Sequence, residues 1–187
     1  MFGLFRKTLN YKDAAFFFCE RFLYDYARDT KRLYKSLSSK SKTQSPYSFE
    51  TFERIHFLAK HALFSGIMKN YHDSVFSATP TYDCESEINI IFKSKFGYSP
   101  YDRIVSMKFD AYKDFVRCAR FFPEDYDRWI GDLAVQFVIN LEFASSINDI
   151  DDKRGPLLKD TKKIQKNFAS HFSDYSTIVS KVKKITY

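Results

Sequence analysis

The stretch RIHFLAKH, residues 54 to 61, holds the side chains of this chain best suited to chemistry, because Arg54 and His61 stand seven positions apart. On an α-helix, seven positions turn through about 700°, nearly two full turns, so the two side chains would share a face. A histidine can accept or donate a proton near neutral pH, and an arginine stabilises a developing negative charge. Such a pair could cleave a phosphodiester bond.

The spacing resembles the Arg-to-His motif of the HEPN ribonucleases, small all-helical proteins, over these eight residues. The resemblance implies metal-independent RNA cleavage, with His61 as general acid or base and Arg54 as the phosphate ligand. Ile55 stands where that family usually has a polar residue, and it belongs to an apolar stripe at helical spacing. We predict that Arg54 and His61 are structural or surface residues, and we keep the ribonuclease as the alternative.

The histidines and cysteines give no second candidate for catalysis or metal binding. Neither a CxxC pair nor a Cys/His cluster with metal-ligand spacing occurs, and five glycines leave no glycine-rich phosphate loop. We therefore expect no metal and no cofactor. The residues considered are His56, His61, His72, His171, Cys19, Cys84 and Cys118.

Acidic residues and tyrosines recur together at predicted turns and helix starts in the middle of the chain. Tyrosine and tryptophan are effective interface anchors, and carboxylates can steer a basic partner. We predict a non-enzymatic protein-binding module, specifically an inhibitor or immunity-type protein that binds and blocks a partner protein. The candidate binding residues are Tyr82, Asp83, Tyr98, Tyr101, Asp102, Glu124, Asp125, Tyr126 and Asp127.

Charge is distributed unevenly along the chain, whose formal net charge is +7. Residues 1–43 carry ten Lys or Arg against four Asp or Glu (+6), residues 44–150 carry eleven against fifteen (−4), and residues 151–187 carry nine against four (+5). The basic ends could attract nucleic acid, or they could be solvated faces of helices. Nucleic-acid binding is therefore a second alternative to a protein partner.

Periodic apolar residues with helix caps predict an all-α protein, one domain built as a bundle of five or six helices with short connections. Asn10 and Gly97 are the clearest start and stop signals, and residues 36–47, rich in serine and lysine, predict a flexible loop. The segment from Leu133 to Phe143 is so apolar that we expect it to be the most buried. The helices are predicted at residues 11–37, 48–77, 83–97, 100–122, 123–144 and 157–185, with Pro123 as a kink or a new first turn.

The sequence also predicts the cellular compartment of the protein. The first ten residues lack the apolar run of a secretory signal, and no segment approaches the roughly 18 apolar residues that span a bilayer. Three widely separated cysteines suit a reducing environment. We expect a soluble cytoplasmic protein without a membrane partner.

Overall fold

A computed structural model describes residues 7–37, 49–72, 79–97, 125–141 and 156–187. The predicted all-α class is confirmed, since these residues form a helical bundle with one short pair of parallel strands. The predicted loop from residue 38 onward and the predicted helix at 100–122 lie outside the described residues. The elements are β1 (Lys7–Asn10), α1 (Tyr11–Ser36), α2 (Phe49–His72), α3 (Thr79–Phe96), α4 (Tyr126–Asn140), α5 (Pro156–Val179) and β2 (Val182–Thr186).

Helix α1 begins where its cap residue predicts. The side chain of Asn10 accepts a hydrogen bond from the backbone N–H of Asp13 at 2.9 Å and donates to the Asp13 carboxylate at 2.6 Å. The cap satisfies one of the first backbone N–H groups, which have no partner inside the helix. The carboxylate of Asp13 also lies at the positive end of the helix dipole.

The last helix is shorter than predicted. It ends at Val179, and residues 182–186 pair with β1 instead of continuing the helix to residue 185. A register shift opposite Lys7 and Thr8 lets both Val182 and Ile185 face the core although they are three positions apart. A spacing of three positions also fits one face of a helix, so the apolar pattern alone does not distinguish the two structures.

Helix α3 begins four residues earlier than predicted and ends as predicted. It starts at Thr79, so Tyr82 and Asp83 belong to its first turns and not to a preceding turn. Gly97 ends it with a positive φ of 76°, and its N–H donates to the carbonyl of Lys93 at 2.9 Å. A left-handed residue of this kind is a common helix terminator.

Helix α2 occupies the centre of the described bundle. Its residues 55–69 are buried without interruption, and it contacts α1, α3, α4 and α5. The expectation that the segment from Leu133 to Phe143 would be the most buried was wrong for its described part, because α4 buries one stripe and leaves its other side partly exposed. The apolar pattern of α2 understates its burial because several buried positions are polar.

Phenylalanine side chains fill the core around α2. Phe22 of α1 lies within 5.7 Å, between ring centroids, of Phe57, Phe64, Phe92 and Tyr175. These rings come from four helices, so the abundance of phenylalanine supplies packing between helices. Within the described residues, no helix combines the length and the apolar character needed to cross a bilayer.

Ring contacts also show the relative directions of the helices. Phe18 of α1 contacts His72 at the end of α2, and Tyr34 contacts Phe49 at its beginning, so α1 and α2 are antiparallel. His72 hydrogen-bonds the backbone of Val179, which places the ends of α2 and α5 together. One end of the bundle therefore gathers the end of α1 with the starts of α2 and α5.

Candidate functional site

Arg54 and His61 do not share an accessible surface. Arg54 is exposed, whereas His61 is only 2% exposed and is surrounded by the rings of Phe22, Phe57 and Phe92 at 5.3 to 6.2 Å. The helical face is continuous, but α2 passes into the core between the two positions. Arg54 therefore lies at the surface and His61 in the core, and the two side chains do not meet on one accessible face.

A partly buried polar cluster lies where α1, α2 and α5 meet, and we call it the Asp29 network. Its centre is the carboxylate of Asp29, which accepts hydrogen bonds from His171 Nε2 at 2.6 Å and from the amide nitrogen of Asn167 at 2.9 Å. The ammonium of Lys60, only 1% exposed, lies 3.6 Å from the same oxygen. The members of the Asp29 network are Asp29, Thr30, His56, Lys60, Asn167 and His171.

Asn167 determines the direction of the remaining hydrogen bonds. Because its amide nitrogen donates to Asp29, its carbonyl oxygen is left to accept from His56 Nε2 at 2.9 Å. Nδ1 of His56 then accepts from the hydroxyl of Thr30, also at 2.9 Å. His56 is therefore the neutral tautomer that carries its proton on Nε2.

The ionisation of the network follows from these contacts. Burial would raise the pKa of Asp29, but hydrogen bonds from His171 and Asn167, together with the charge of Lys60, hold that pKa well below its usual range. Burial, and next the nearby charge of Lys60, lower the pKa of His56 well below 6.5. Asp29 is thus a carboxylate and His56 is neutral at pH 7.

The network is better suited to holding helices than to catalysis. A carboxylate with a depressed pKa and three cationic or N–H partners is a weak base, and its neighbours already use their donors on it. Its members come from three helices, so the contacts fix α1, α2 and α5 relative to one another. Sequence reasoning missed this cluster, although His56/Lys60 and Asn167/His171 each show polar residues four apart on an otherwise apolar helix face.

A second polar group lies between α2 and α3, and we call it the Tyr82 stack. Lys69 Nζ is 2.6 Å from a carboxylate oxygen of Glu85, and the other oxygen of Glu85 accepts a hydrogen bond from the hydroxyl of Ser65. Lys69 also lies under the ring of Tyr82, 4.8 Å from its centroid. Ser65, Lys69 and Glu85 are buried, whereas Tyr82 is 42% exposed.

The other predicted binding residues fall into three groups. Asp83 is partly exposed beside Tyr82, and Asp125 and Asp127 are exposed at the start of α4. Asp125 immediately precedes α4, which begins at Tyr126. The positions that lie outside the described residues, or whose side chains do, are Tyr98, Tyr101, Asp102, Glu124 and Tyr126.

The structure separates Tyr82 from the acidic start of α4. Tyr82 rests on Lys69 near the end of α2, whereas the carbonyl of Asp127 accepts a hydrogen bond from Gln165 near the start of α5. The start of α5 lies at the same end of the bundle as the start of α2. Lys69, on which Tyr82 rests, and the end of the bundle where α4 begins are therefore about 20 Å apart along α2, at 1.5 Å per residue.

Cysteines and carboxylates do not assemble into a metal site in the described part of the chain. Cys19 and Cys84 are free and buried, and burial raises the pKa of the Cys19 thiol to about 12. The thiols therefore remain protonated and poor as metal ligands or nucleophiles.

Neither the protein-family models, nor the curated proteins, nor the solved structures compared with this chain give a match.

Proposed function

We propose that this protein is a non-enzymatic binding module that binds and blocks a partner protein, with Tyr82 as an anchor of the contact. The observation that carries the proposal is the support beneath the Tyr82 ring. Its face rests on an ammonium that is itself paired with Glu85, and Glu85 is held by Ser65. An exposed aromatic side chain is thus held in place by buried groups.

Such a residue suits an interface energetically. Binding normally costs the rotamer freedom of each side chain that becomes ordered, roughly 0.5–1.5 kcal/mol, and a ring already held in place loses less. Tyrosine is among the residue types that dominate binding energies. Asp83, partly exposed beside the ring, adds a negative charge that favours a partner with a basic surface.

The acidic residues at the start of α4 belong to this proposal as a second, separate contact. Asp125 and Asp127 are both exposed, so their charges act on an approaching partner through solvent. A partner that reaches both Tyr82 and α4 must extend along the bundle. The cytoplasm remains the proposed compartment, supported by two buried cysteines that are free.

Photo-crosslinking tests the proposal and identifies the partner in the same experiment. A photo-reactive phenylalanine at position 82 keeps an aromatic ring over Lys69, and the same residue at Ser173, exposed on α5, is the matched control. We expect a cross-linked protein from the native host at position 82 and not at position 173. The purified partner should then bind at 1:1 stoichiometry and lose its activity on binding.

A Tyr82→Ala variant completes the test with purified components. The loss of a central aromatic anchor should weaken binding by about 30-fold or more, equivalent to about 2 kcal/mol. Tyr82→Phe should bind nearly as well as the wild type, because it keeps the ring. Identical cross-linking at both positions, or a partner whose activity is unchanged at saturation, contradicts the proposal.

A further inference from the structure

The end of α1 and the start of α5 bring basic residues together that are more than a hundred positions apart in the chain. Lys163 of α5 donates to the backbone carbonyl of Ser36 at 2.5 Å, and Asn167 binds Asp29, so the two helices lie side by side here. All the basic residues on these two segments are exposed, and we call them the basic ridge. They are Lys31, Arg32, Lys35, Lys159, Lys162, Lys163 and Lys166.

Helical spacing aligns the inner members of the ridge along the seam between the two helices. Lys159 and Lys166 are four and three positions from Lys163, so they lie on the face of α5 that meets α1. Arg32 lies three positions after Asp29 and therefore on the face of α1 that meets α5.

Two acids lie along the seam, and one of them is paired with a lysine of the ridge. Asp160 is fully buried and pairs with Lys163 at 3.1 Å, and Asp29 is the centre of the Asp29 network. The positive potential over the seam is therefore set by the exposed lysines and arginine. From Lys159 to Lys166 the ridge extends about 10 Å, the axial length that about three phosphates of one nucleic-acid strand occupy.

The composition of the ridge indicates which polyanion it fits. The large apolar side chains that are exposed in the described residues lie elsewhere, at Phe16, Tyr71, Tyr82, Ile90 and Tyr187. A membrane-surface helix needs an apolar face to insert, and a protein interface needs aromatic or apolar anchors at its centre. A uniform row of flexible cations instead matches a regular row of phosphates.

We propose that the basic ridge binds the phosphodiester backbone of a nucleic acid without reading its sequence. RNA and DNA share this chemistry, and both are probes in the test. The ridge lies at the opposite end of the bundle from Tyr82 and at the same end as Asp125 and Asp127, so this binding is independent of the Tyr82 contact but adjacent to the proposed contact at α4. A partner held at Tyr82 alone leaves the ridge open.

The experiment compares two charge-reversal variants of equal net charge. Arg32→Glu/Lys159→Glu/Lys166→Glu removes three exposed ridge cations, and Lys12→Glu/Lys183→Glu/Lys184→Glu removes three exposed cations near β1 and β2. Fluorescence anisotropy measures binding to a labelled 20-nucleotide RNA and to a 20-base-pair DNA duplex from 50 to 200 mM salt. Circular dichroism checks that both variants keep their helix content.

We expect micromolar, salt-sensitive binding by the wild type. The ridge variant should lose at least about a hundredfold in affinity at 50 mM salt, as each phosphate contact is worth about tenfold there, and its salt slope should fall by about 3. The control variant should keep most of the affinity, and Tyr82→Ala should keep all of it.

Three results overturn the proposal. The first is an absence of wild-type binding to both nucleic acids at 50 mM salt. The second is an equal loss in the two charge-reversal variants, which would mean that net charge and not the ridge is responsible. The third is binding to phosphatidylserine vesicles that survives where binding to both nucleic acids fails.

Discussion

The Asp29 network and the Tyr82 stack are both built around a lysine that α2 carries into the interior, and they differ in where their contacts lead. Lys60 lies 3.6 Å from a carboxylate that three helices share, and the contacts continue inward to His56 and Thr30. Lys69 is 2.6 Å from Glu85, and its contacts lead outward to the exposed ring of Tyr82.

This difference separates a role in stability from the proposed role in recognition. An ion cluster whose contacts lead into the interior acts on the protein itself, by fixing how its helices pack. A buried ion pair that supports an exposed ring can act on another molecule, because the ring presents a fixed surface. Removal of the Asp29 carboxylate should therefore lower the stability of the fold. Removal of the Tyr82 ring should instead weaken binding and change the stability little.

Removal of the Asp29 carboxylate should have the largest effect. Asp29→Ala leaves the charge of Lys60 buried without its nearest carboxylate and frees the hydrogen-bond donors of His171 and Asn167. Loss of one partner of a buried pair typically costs about 3–5 kcal/mol. Urea denaturation should show a decrease of that size in the free energy of unfolding.

Asp174→Ala is the matched control for Asp29→Ala, because Asp174 is exposed on α5. Its effect should stay within about 0.5 kcal/mol, as is usual for surface substitutions. Similar stabilities for the two variants would mean that the Asp29 network does not hold the helices together.

A second substitution should recover part of the stability that Asp29→Ala loses. Lys60→Met replaces the buried ammonium with an apolar side chain of similar length, which removes the uncompensated charge of Asp29→Ala. The double variant should be more stable than Asp29→Ala alone by about 1–3 kcal/mol, within the range of coupling between contacting residues. A double-mutant cycle by denaturation measures this coupling, and additive effects would contradict direct pairing of Lys60 with Asp29.

The Asp29 network should also make the free energy of unfolding depend on pH. Burial lowers the pKa of His56, so the unfolded chain binds a proton near pH 6.5 that the folded protein does not. The free energy of unfolding should therefore fall as the pH is lowered below 6.5, by up to about 1.4 kcal/mol per pH unit for each such histidine. Asp29 adds to this loss only below about pH 4, where the unfolded carboxyl becomes protonated.

His72 provides the control for this pH dependence. Burial lowers its pKa to about 4, so it contributes to the same decline although it lies outside both regions. His72→Gln removes that share, and the slope that remains between pH 5 and 6.5 should decrease further when His56→Gln is added. Denaturation at half-unit pH steps measures both decreases, and a slope that His56→Gln leaves unchanged would assign the decline to other groups.

The helices were predictable because their signals are local. Caps such as Asn10, a terminator such as Gly97 and apolar stripes depend on neighbours within a few positions. The end of α5 was not predictable in this way, because β2 forms only through pairing with β1 at the other end of the chain. The central position of α2 depends similarly on which helices surround it.

The contacts within the two polar sites were even less predictable from the sequence, because they join residues that are far apart in the chain. The members of the Asp29 network are separated by up to 142 positions, so their contacts exist only in the folded chain. The four-residue spacing of His56 and Lys60 was visible, but the residues that would satisfy them were not. Tyr82 was predicted as an anchor from its type and its acidic neighbour, while its support by Lys69 and Glu85 required the packing of α3 on α2.

Removal of the Tyr82 ring should have the smallest effect on stability. The ring is 42% exposed, so Tyr82→Ala loses mainly the cation–π contact with Lys69, worth about 0.5–1 kcal/mol at an exposed site. The pair of Lys69 with Glu85 stays intact, since it does not depend on the ring. Urea denaturation should therefore show a shift several times smaller than that of Asp29→Ala. A loss above about 2 kcal/mol would mean that Tyr82 holds the fold, and its use as the binding anchor would then need another explanation.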